Sequence, residues 1–278
     1  MQPIISIIVP CYNQAKYLDE ALQSVLDQEF TEWECLMIND GSTDDTEEIA
    51  SYWTERDKRF KYFAKANGGV SDTRNYGIKK ASGEFILPLD GDDRIGNKYI
   101  SEAITIFRNS PETKLVYSNS LLFGAKNQEI VPPDFLYENL FIENQIPCSA
   151  IFRKSDFLKT EGYNTNMVEG LEDWDFWLSF LQKGDKVVKL NDFHFFYRIK
   201  DISRSTLIDH DKNERLLLQI FKNHIPLFLE YFNPMRDHIE ADYYKKEVKT
   251  LQNSWEYKIG KVITYPFRLI NKILKKLG

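Results

Sequence analysis

The chain has 278 residues, of which 42% are hydrophobic and 28% are charged, so a folded protein with a large core is expected rather than a disordered one. Its 42 acidic residues outnumber its 36 lysines and arginines, which gives a formal charge of −6. Because nucleic-acid binders usually have a basic overall balance, this charge argues against nucleic acid as a partner.

The cysteines and the apolar segments bear on the compartment. Cys11, Cys35 and Cys148 lie far apart, which excludes a closed zinc site or a disulfide framework and favours a reducing environment. The N-terminal apolar run is too short for a signal peptide, and no basic segment precedes it. No stretch reaches the ~20 apolar residues of a membrane span, so we predict a cytoplasmic protein.

The first part of the chain alternates apolar runs with amphipathic helical patterns. Strands are predicted at Ile4–Val9, Trp33–Ile38, Phe60–Ala64, Phe85–Leu89 and Leu115–Ser118, with helices between them. Strands separated by helices imply right-handed crossovers, and we therefore predict an α/β fold with a mostly parallel sheet flanked by helices.

The later part of the chain is less regular. An irregular segment is predicted at Glu129–Ile151 and a short helix at Glu172–Gln182. Two short strands are predicted at Val187–Leu190 and Phe195–Tyr197, and a helical region begins after Asp209. We predict two domains, residues 1–208 and a helical C-terminal extension at 209–278.

Polar residues follow the predicted strands, where a parallel sheet binds its ligands. No phosphate-binding glycine motif and no nucleophile elbow is present. The acids of Asp90-Gly-Asp92-Asp93 suit Mg²⁺ or Mn²⁺, but the same residues also fit a solvated turn. Taken singly, Asp40 fits a turn, Asp173 a helix cap and Arg74 a surface ion pair.

Five motifs in order carry a resemblance: VPCYN, NDGSTDDT, NGGVSDTRNYG, SGEFILPLDGDD and LEDWDFWL. Together they resemble the inverting family 2 glycosyltransferases of the GT-A fold, of the bacterial surface-polysaccharide type. The match runs from about Ile4 to Ser205. It implies a nucleotide-sugar donor, in particular a UDP-sugar, and a glycan or lipid-linked acceptor.

The resemblance also assigns the donor contacts. Pro10 and Tyr12 would border the nucleotide base, and Asp40 would accept a hydrogen bond from the uracil N–H group. Asn67 and Arg74 would hold the nucleotide end of the donor.

The remaining acids receive metal and catalytic roles from the same resemblance. Asp90 would contact the ribose, while Asp92, with Asp93 beside it, would hold Mn²⁺ or Mg²⁺. Asp173 would be the base that deprotonates the acceptor hydroxyl. This division is chemically consistent, because a metal at the diphosphate replaces the general acid that a hydrolase needs.

One segment departs from the family pattern Tyr-Arg-x-His-x-x-Ser-x-Ser. Here the segment starts at Tyr197 and keeps Arg198 and both serines, but Lys200 stands where the family has histidine. A charged lysine cannot ligate a metal, although it can pair with phosphate. We therefore predict diphosphate contact by Arg198, Lys200 or Arg204.

The C-terminal segment 255–278 has six lysines and arginines against one acid, interleaved with aromatic and isoleucine residues. This pattern is typical of an interfacial helix on an anionic membrane, and the alternative is a helix packed on the acidic body of the protein. We predict peripheral contact with the inner face of the cell membrane, with a break at Pro266.

The sequence thus predicts an inverting hexosyl- or N-acetylhexosaminyl-transferase for surface polysaccharide or glycoconjugate assembly. Two alternatives stay open. A sugar-phosphate nucleotidyltransferase shares the sheet topology but normally has a glycine-rich basic loop after its first strand. A catalytically silent sugar-nucleotide-binding subunit is the other alternative.

Overall fold

The computed structural model describes residues 2–200, 209–232 and 234–261. The chain divides into two units, Met1–His224 and Ile225–Gly278. This division lies after the helix His210–Asn223, whereas the sequence placed the boundary between residues 208 and 209. The difference arises because Leu216 and Ile220 of that helix are buried within the first unit.

The strands of the first unit are β1 (Ile5–Cys11), β2 (Trp33–Asn39), β3 (Phe60–Ala64), β4 (Phe85–Pro88), β5 (Arg94–Ile95), β6 (Thr113–Gly124), β7 (Gln128–Ile130), β8 (Ile151–Arg153) and β9 (Lys186–Ile199). Its helices are α1 (Ala15–Leu26), α2 (Thr46–Arg56), α3 (Gly69–Lys80), α4 (Tyr99–Asn109), α5 (Lys154–Phe157), α6 (Glu172–Phe180) and α7 (His210–Asn223), with a 3₁₀ helix at Tyr137–Phe141. The second unit contains α8 (Ile225–Tyr231) and α9 (Pro234–Asn253), and residues 255–261 are helical.

Nine strands of the described chain form one sheet in the order β3-β2-β1-β4-β8-β6-β9-β5, with β7 paired to β6. β1 to β4 pair in parallel, as predicted, and β8 joins β4 and β6 in antiparallel orientation. Since β1 lies between β2 and β4, the residues that follow these strands meet at one edge. This is where a parallel sheet binds ligands.

Both faces of the sheet are covered near β1. Every residue of β1 and β2 is buried, and side chains from α1, α2 and α4 pack on one face. On the other face α3 lies so close that a Cβ on Gly77 would be 2.6 Å from a methyl of Ile8. Glycine at this position therefore lets the helix rest directly on the sheet, which fixes the start of α3 relative to the strand ends.

The predicted strands at Val187–Leu190 and Phe195–Tyr197 are one continuous strand, β9. β9 runs parallel to β6, and the register shifts at Asn119, whose amide donates to the Asn191 carbonyl at 2.5 Å. This hydrogen bond from the Asn119 side chain joins β6 to the polar part of β9. The strand therefore continues through the residues at which the apolar pattern is interrupted. The short strands β5, β7 and β8 were not predicted.

The second unit bears on the membrane prediction. Among the helices that the structure describes, none combines the length and apolar character that crossing a bilayer requires. Trp255 and Ile259, at the start of the basic segment, are 78% and 53% exposed. Residues 262–278, with Pro266 and most of the cations, lie outside the described part.

Candidate active site

A cleft of about 620 Å³ opens at the edge of the sheet where β1 and β4 end. Eight of the ten predicted site residues line it: Pro10, Tyr12, Asp40, Asn67, Asp90, Asp92, Asp173 and Arg198. The other two, Arg74 and Asp93, are buried behind its surface. The fold thus brings residues from six separate segments to one cavity.

Asp90 and Asp92, which follow β4, form one side of the cleft, and Asp93 is buried behind them; we call these three acids the acid wall. Asp90 accepts a hydrogen bond from Arg74 at 2.6 Å, and Asp92 pairs with the Lys200 ammonium. Asp93 accepts from the backbone N–H of Arg198 at 2.8 Å. Burial, with Asp92 and Asp90 nearby, raises the pKa of Asp93 well above its ordinary value.

The end of β9 holds the acid wall in place. Arg198 donates from Nε to the backbone carbonyl of Asp92 at 2.8 Å and pairs with Glu20 on α1. Its guanidinium also lies over the rings of Tyr17 and Phe123, at 4.7 and 4.2 Å from their centroids. With these partners, Arg198 supports the loop that carries Asp92 and also lines the cleft.

Arg74 connects the acid wall with the opposite side of the cleft. It projects from α3, has no exposed surface, and donates to Asp90 at 2.6 Å and to Glu172 at 3.0 Å. The two neighbouring carboxylates raise the pKa of the guanidinium against the opposing effect of burial. Its position makes Arg74 an internal cation that orients two acids.

Asp40 follows β2 and lies at the N-terminus of α3. Its carboxylate accepts hydrogen bonds from Lys65 at 2.5 Å and from the N–H groups of Gly68 and Gly69 at 2.9 and 2.8 Å. Asn67 donates to the Asp40 carbonyl at 2.9 Å. Because α3 has a glycine at its N-cap, Asp40 supplies the capping carboxylate that the helix itself lacks.

The end of β1 and the turn after it present Pro10 and Tyr12. Pro10 is a buried residue of the strand, while Tyr12 is 52% exposed and lines the cleft. Asn13 adopts a left-handed conformation, with φ of +53°, and its side chain accepts from the Thr43 N–H at 2.8 Å. The turn is therefore fixed to the loop after β2, and Tyr12 has a defined position.

The opposite side of the cleft, which we call the base wall, consists of Asn144 and Asp173. Asp173 lies in the first turn of α6 and accepts from Asn144 Nδ2 at 3.0 Å and from the Trp174 N–H at 2.9 Å. Burial raises the pKa of Asp173 to about 6, with Glu172 acting in the same direction. A carboxylate with this pKa is suited to accept a proton near neutral pH.

The local backbone and the packing around α6 place Asp173. Leu171, just before the helix, has a φ of +57°, which turns the chain sharply into α6. The indole N–H groups of Trp174 and Trp177 donate to the carbonyls of Leu140 and Ile146 at 2.7 and 3.1 Å. These bonds tie α6 to the irregular segment that contains Asn144, so base and partner are positioned together.

α7 fixes the same helix from another direction. The His224 ring bonds to Asp175 on α6 at 3.1 Å, and Asn223 donates to the same carboxylate at 2.7 Å. Asp175 is fully enclosed, two residues beyond the predicted base. The first helix of the predicted extension therefore supports the cleft.

Two acids of the acid wall, together with Cys148, could hold a divalent cation. Asp90, Asp93 and Cys148 offer ligand atoms within 4.8 Å of one another, and the buried Oδ2 of Asp93 has no hydrogen-bond partner among the described residues. Carboxylate oxygens are the ligands that Mg²⁺ and Mn²⁺ prefer. Burial raises the pKa of the Cys148 thiol, as it does for the Asp93 carboxyl.

Several residues of the site had no signal in the sequence. Asn144 lies in the irregular segment that no motif covers, and Cys148 gave no metal spacing. Tyr17 and Glu20, which contact the end of β9, look like ordinary residues of an amphipathic helix. Glu172 received no role from its motif, yet it is buried and pairs with Arg74.

Comparison with known proteins assigns the family. The model of "Glycosyl transferase family 2" matches residues 6–160, more than half of the chain. The minor teichoic acid biosynthesis protein GgaB of Bacillus subtilis is 28% identical over 254 residues, which cover 81% of this chain and 28% of that protein. This chain spans between 18% and 59% of the length of the curated relatives it matches.

Solved structures agree in fold. TarS 1-349 of S. aureus in complex with UDP-GlcNAc has a TM-score of 0.62 at 22% identity, covering 78% of this chain and 66% of that one. The mannosyltransferase PcManGT of Pyrobaculum calidifontis, in complex with GDP-Man and Mn²⁺, has a TM-score of 0.57 at 15% identity and covers 100% and 88%. The fold is GT-A, and the chain belongs to glycosyl transferase family 2.

Proposed function

We propose that the protein transfers a sugar from a nucleotide-sugar, of the UDP-sugar class, to an acceptor hydroxyl with inversion at the anomeric carbon. One observation carries this proposal. A carboxylate with a pKa of about 6, Asp173, faces a wall of three acids and their cations across a cleft of about 620 Å³. This volume is within the range of small-molecule sites and is sufficient for a nucleotide-sugar.

The nucleotide would bind at the ends of β1 to β3. Tyr12 and Pro10 offer a flat apolar surface to the base, and Asn67 lies beside them in the cleft. Asp40 already accepts three hydrogen bonds, but a carboxylate has about four acceptor positions, which leaves capacity for a uracil N–H. Asp90 faces the same cavity and would contact the ribose.

The diphosphate would lie against the acid wall through a divalent cation. Asp92 faces the cleft and would hold Mn²⁺ or Mg²⁺, with Asp93 behind it. Such a cation stabilises the negative charge of a departing nucleoside diphosphate. PcManGT, which shares the fold, is named as a complex with GDP-Man and Mn²⁺, which supports a metal of this class.

Asp173 would act as the general base. It would take the proton of the acceptor hydroxyl as the new bond forms on the face of the sugar opposite the departing diphosphate. Displacement from that face inverts the anomeric carbon, so an α-linked donor gives a β-linked product. Asn144 would hold the carboxylate at the correct orientation.

The acceptor is proposed from the relatives and from the tail. GgaB is named for minor teichoic acid biosynthesis, which supports a role in surface polysaccharide or glycoconjugate assembly with a glycan or lipid-linked acceptor. The basic segment 255–278 would hold the protein at the inner face of the membrane through anionic lipids.

Release of UDP from a panel of UDP-sugars, with and without Mn²⁺ or Mg²⁺, tests this function. A glycosyltransferase releases UDP when an acceptor is present, and hydrolyses some donors slowly without one. A nucleotidyltransferase would instead release pyrophosphate from UTP and a sugar phosphate. A silent subunit would bind the donor, seen as a thermal shift, and release nothing.

A further inference from the structure

Two cations line the cleft among the residues that the structure describes, Arg198 and Lys200. They lie two positions apart at the end of β9, and alternate residues of an extended chain project to the same side. A donor diphosphate that enters the cleft meets the acid wall. These two side chains are therefore the ones that can offset its charge from the protein side.

The two cations differ in how firmly they are held. Arg198 is fixed by the Asp92 carbonyl, by Glu20 and by two aromatic rings. Lys200 makes an ion pair with the Asp92 carboxylate and lies 4.7 Å from the centre of the Tyr17 ring. Its side chain is 21% exposed, and a lysine has a flexible stem with three rotatable donors. Lys200 is the cation that can change partners without disturbing the loop.

We propose that Lys200 is an exchangeable counter-ion: it neutralises Asp92 before the donor binds, and it moves to the donor diphosphate as Asp92 takes the divalent cation. The inference rests on the proposed function and deepens it. It follows from the geometry because an ammonium group and a divalent cation cannot both occupy the same face of one carboxylate. Lys200 thus opposes metal binding when no donor is present, and the donor removes that opposition.

The inference predicts a measurable coupling between metal and nucleotide. The dissociation constant of Mn²⁺, followed by the electron paramagnetic resonance signal of the free ion, is measured with and without saturating UDP. Lys200→Met keeps the length of the stem and removes the charge. Without UDP it should tighten Mn²⁺ binding about two- to fivefold, the range for loss of a partly exposed ion pair. The factor by which UDP tightens Mn²⁺ binding should fall by a similar amount.

Two further variants separate charge from other effects. Lys200→Arg keeps the cation and adds a second donor toward Asp92, so Mn²⁺ binding without UDP should be equal to the wild type or weaker. Lys186→Met removes a lysine of the same strand, paired with Glu112 away from the cleft, and should change neither constant. Thermal unfolding of each variant confirms that it folds.

The outcomes are distinct. If Lys200→Met binds UDP but has the wild-type Mn²⁺ affinity and the wild-type coupling factor, the counter-ion role is wrong and the proposed function stands. If UDP binds to none of the proteins, Lys186→Met included, the donor class is wrong and the inference fails with it. Tighter Mn²⁺ binding in Lys200→Met alone supports the exchange.

Discussion

The acids that face the cleft from its two walls lie in opposite electrostatic settings. On the acid wall, Asp90 and Asp92 pair with full cations, Arg74 and Lys200. On the base wall, Asp173 accepts hydrogen bonds from neutral donors, the Asn144 amide and the Trp174 N–H. Cationic partners stabilise a carboxylate as an anion, whereas burial with neutral donors raises its pKa.

Under the proposed function, the acid wall would bind charge and the base wall would transfer a proton. Glu172, next to Asp173, sharpens the contrast, because it also lines the cleft but pairs with Arg74. Two adjacent acids on one helix therefore have different partners: Glu172 pairs with the buried cation, and Asp173 accepts from neutral donors. Variants on each wall test whether this division is functional.

Removal of the base should have the largest effect. Asp173→Asn keeps the size of the side chain but cannot accept the proton, so kcat should fall roughly 10²–10⁴-fold. UDP-sugar affinity should stay near the wild-type value, because the nucleotide contacts lie elsewhere in the cleft. Steady-state kinetics together with donor titration measure both quantities, and Asp134→Asn, at a carboxylate whose side chain is 98% exposed, is the control. Weakened donor binding with normal turnover would make Asp173 a binding residue.

Arg74 connects the walls, and its loss should cost stability. Arg74→Gln leaves Asp90 and Glu172 without their shared cation, and breaking a buried ion pair typically costs about 3–5 kcal/mol. Urea denaturation measures the free energy of unfolding. Arg74→Lys keeps the charge but loses the forked geometry, so its loss should be smaller. Equal stability of all three proteins would show that the two acids do not depend on Arg74.

The acid wall should respond to neutralisation at Asp92. Asp92→Asn replaces a carboxylate by an amide, a poorer ligand for a hard cation. Mn²⁺ affinity in the presence of UDP should fall at least about 10-fold, since changes even around a metal site commonly cost that much. Calorimetric titration of Mn²⁺ into the UDP-bound protein measures it. If the variant binds Mn²⁺ as tightly as the wild type, and its turnover depends on the metal in the same way, Asp92 is not a metal ligand.

The pH dependence should report the base wall. Burial raises the pKa of Asp173 to about 6, and only the unprotonated form accepts a proton. Turnover at saturating donor should therefore be low below pH 6, rise through this value and level off above it. Asn144→Ala removes a hydrogen bond that favours the ionised form, so the midpoint should move upward by up to about one unit. If the midpoint of the pH profile is the same in Asn144→Ala as in the wild type, the ionisation belongs to another group.

The sequence predicts the acids at the strand ends better than the base wall for a physical reason. Asp40 and Asp90 follow continuous apolar strands, so their meeting at one sheet edge follows from parallel pairing alone. Asn144 reaches Asp173 only through the indole bonds of Trp174 and Trp177, and no periodic pattern encodes contacts of that kind.

The partners of the acids are likewise hidden in the sequence. Arg74 has the helical spacing of a solvated residue, yet its side chain is enclosed between two carboxylates from distant segments. Lys200 was recognised as a departure from the family pattern, whereas its pairing with Asp92 depends on how β9 ends. Residue types could be assigned from motifs, but the pairing of charges required the fold.

The smallest effect on either wall should come from removing residues 255–278, which changes location and not chemistry. Each lysine or arginine near an anionic leaflet contributes about 1 kcal/mol, so the six cations of this segment are ample for reversible attachment. Vesicle co-sedimentation should show binding to anionic lipid that weakens as salt screens the attraction, and that is lost on truncation. Donor affinity should be unchanged, because no residue of this segment lines the cleft within the described chain. If the full-length protein ignores anionic vesicles and the truncated chain unfolds, the segment belongs to the folded core instead.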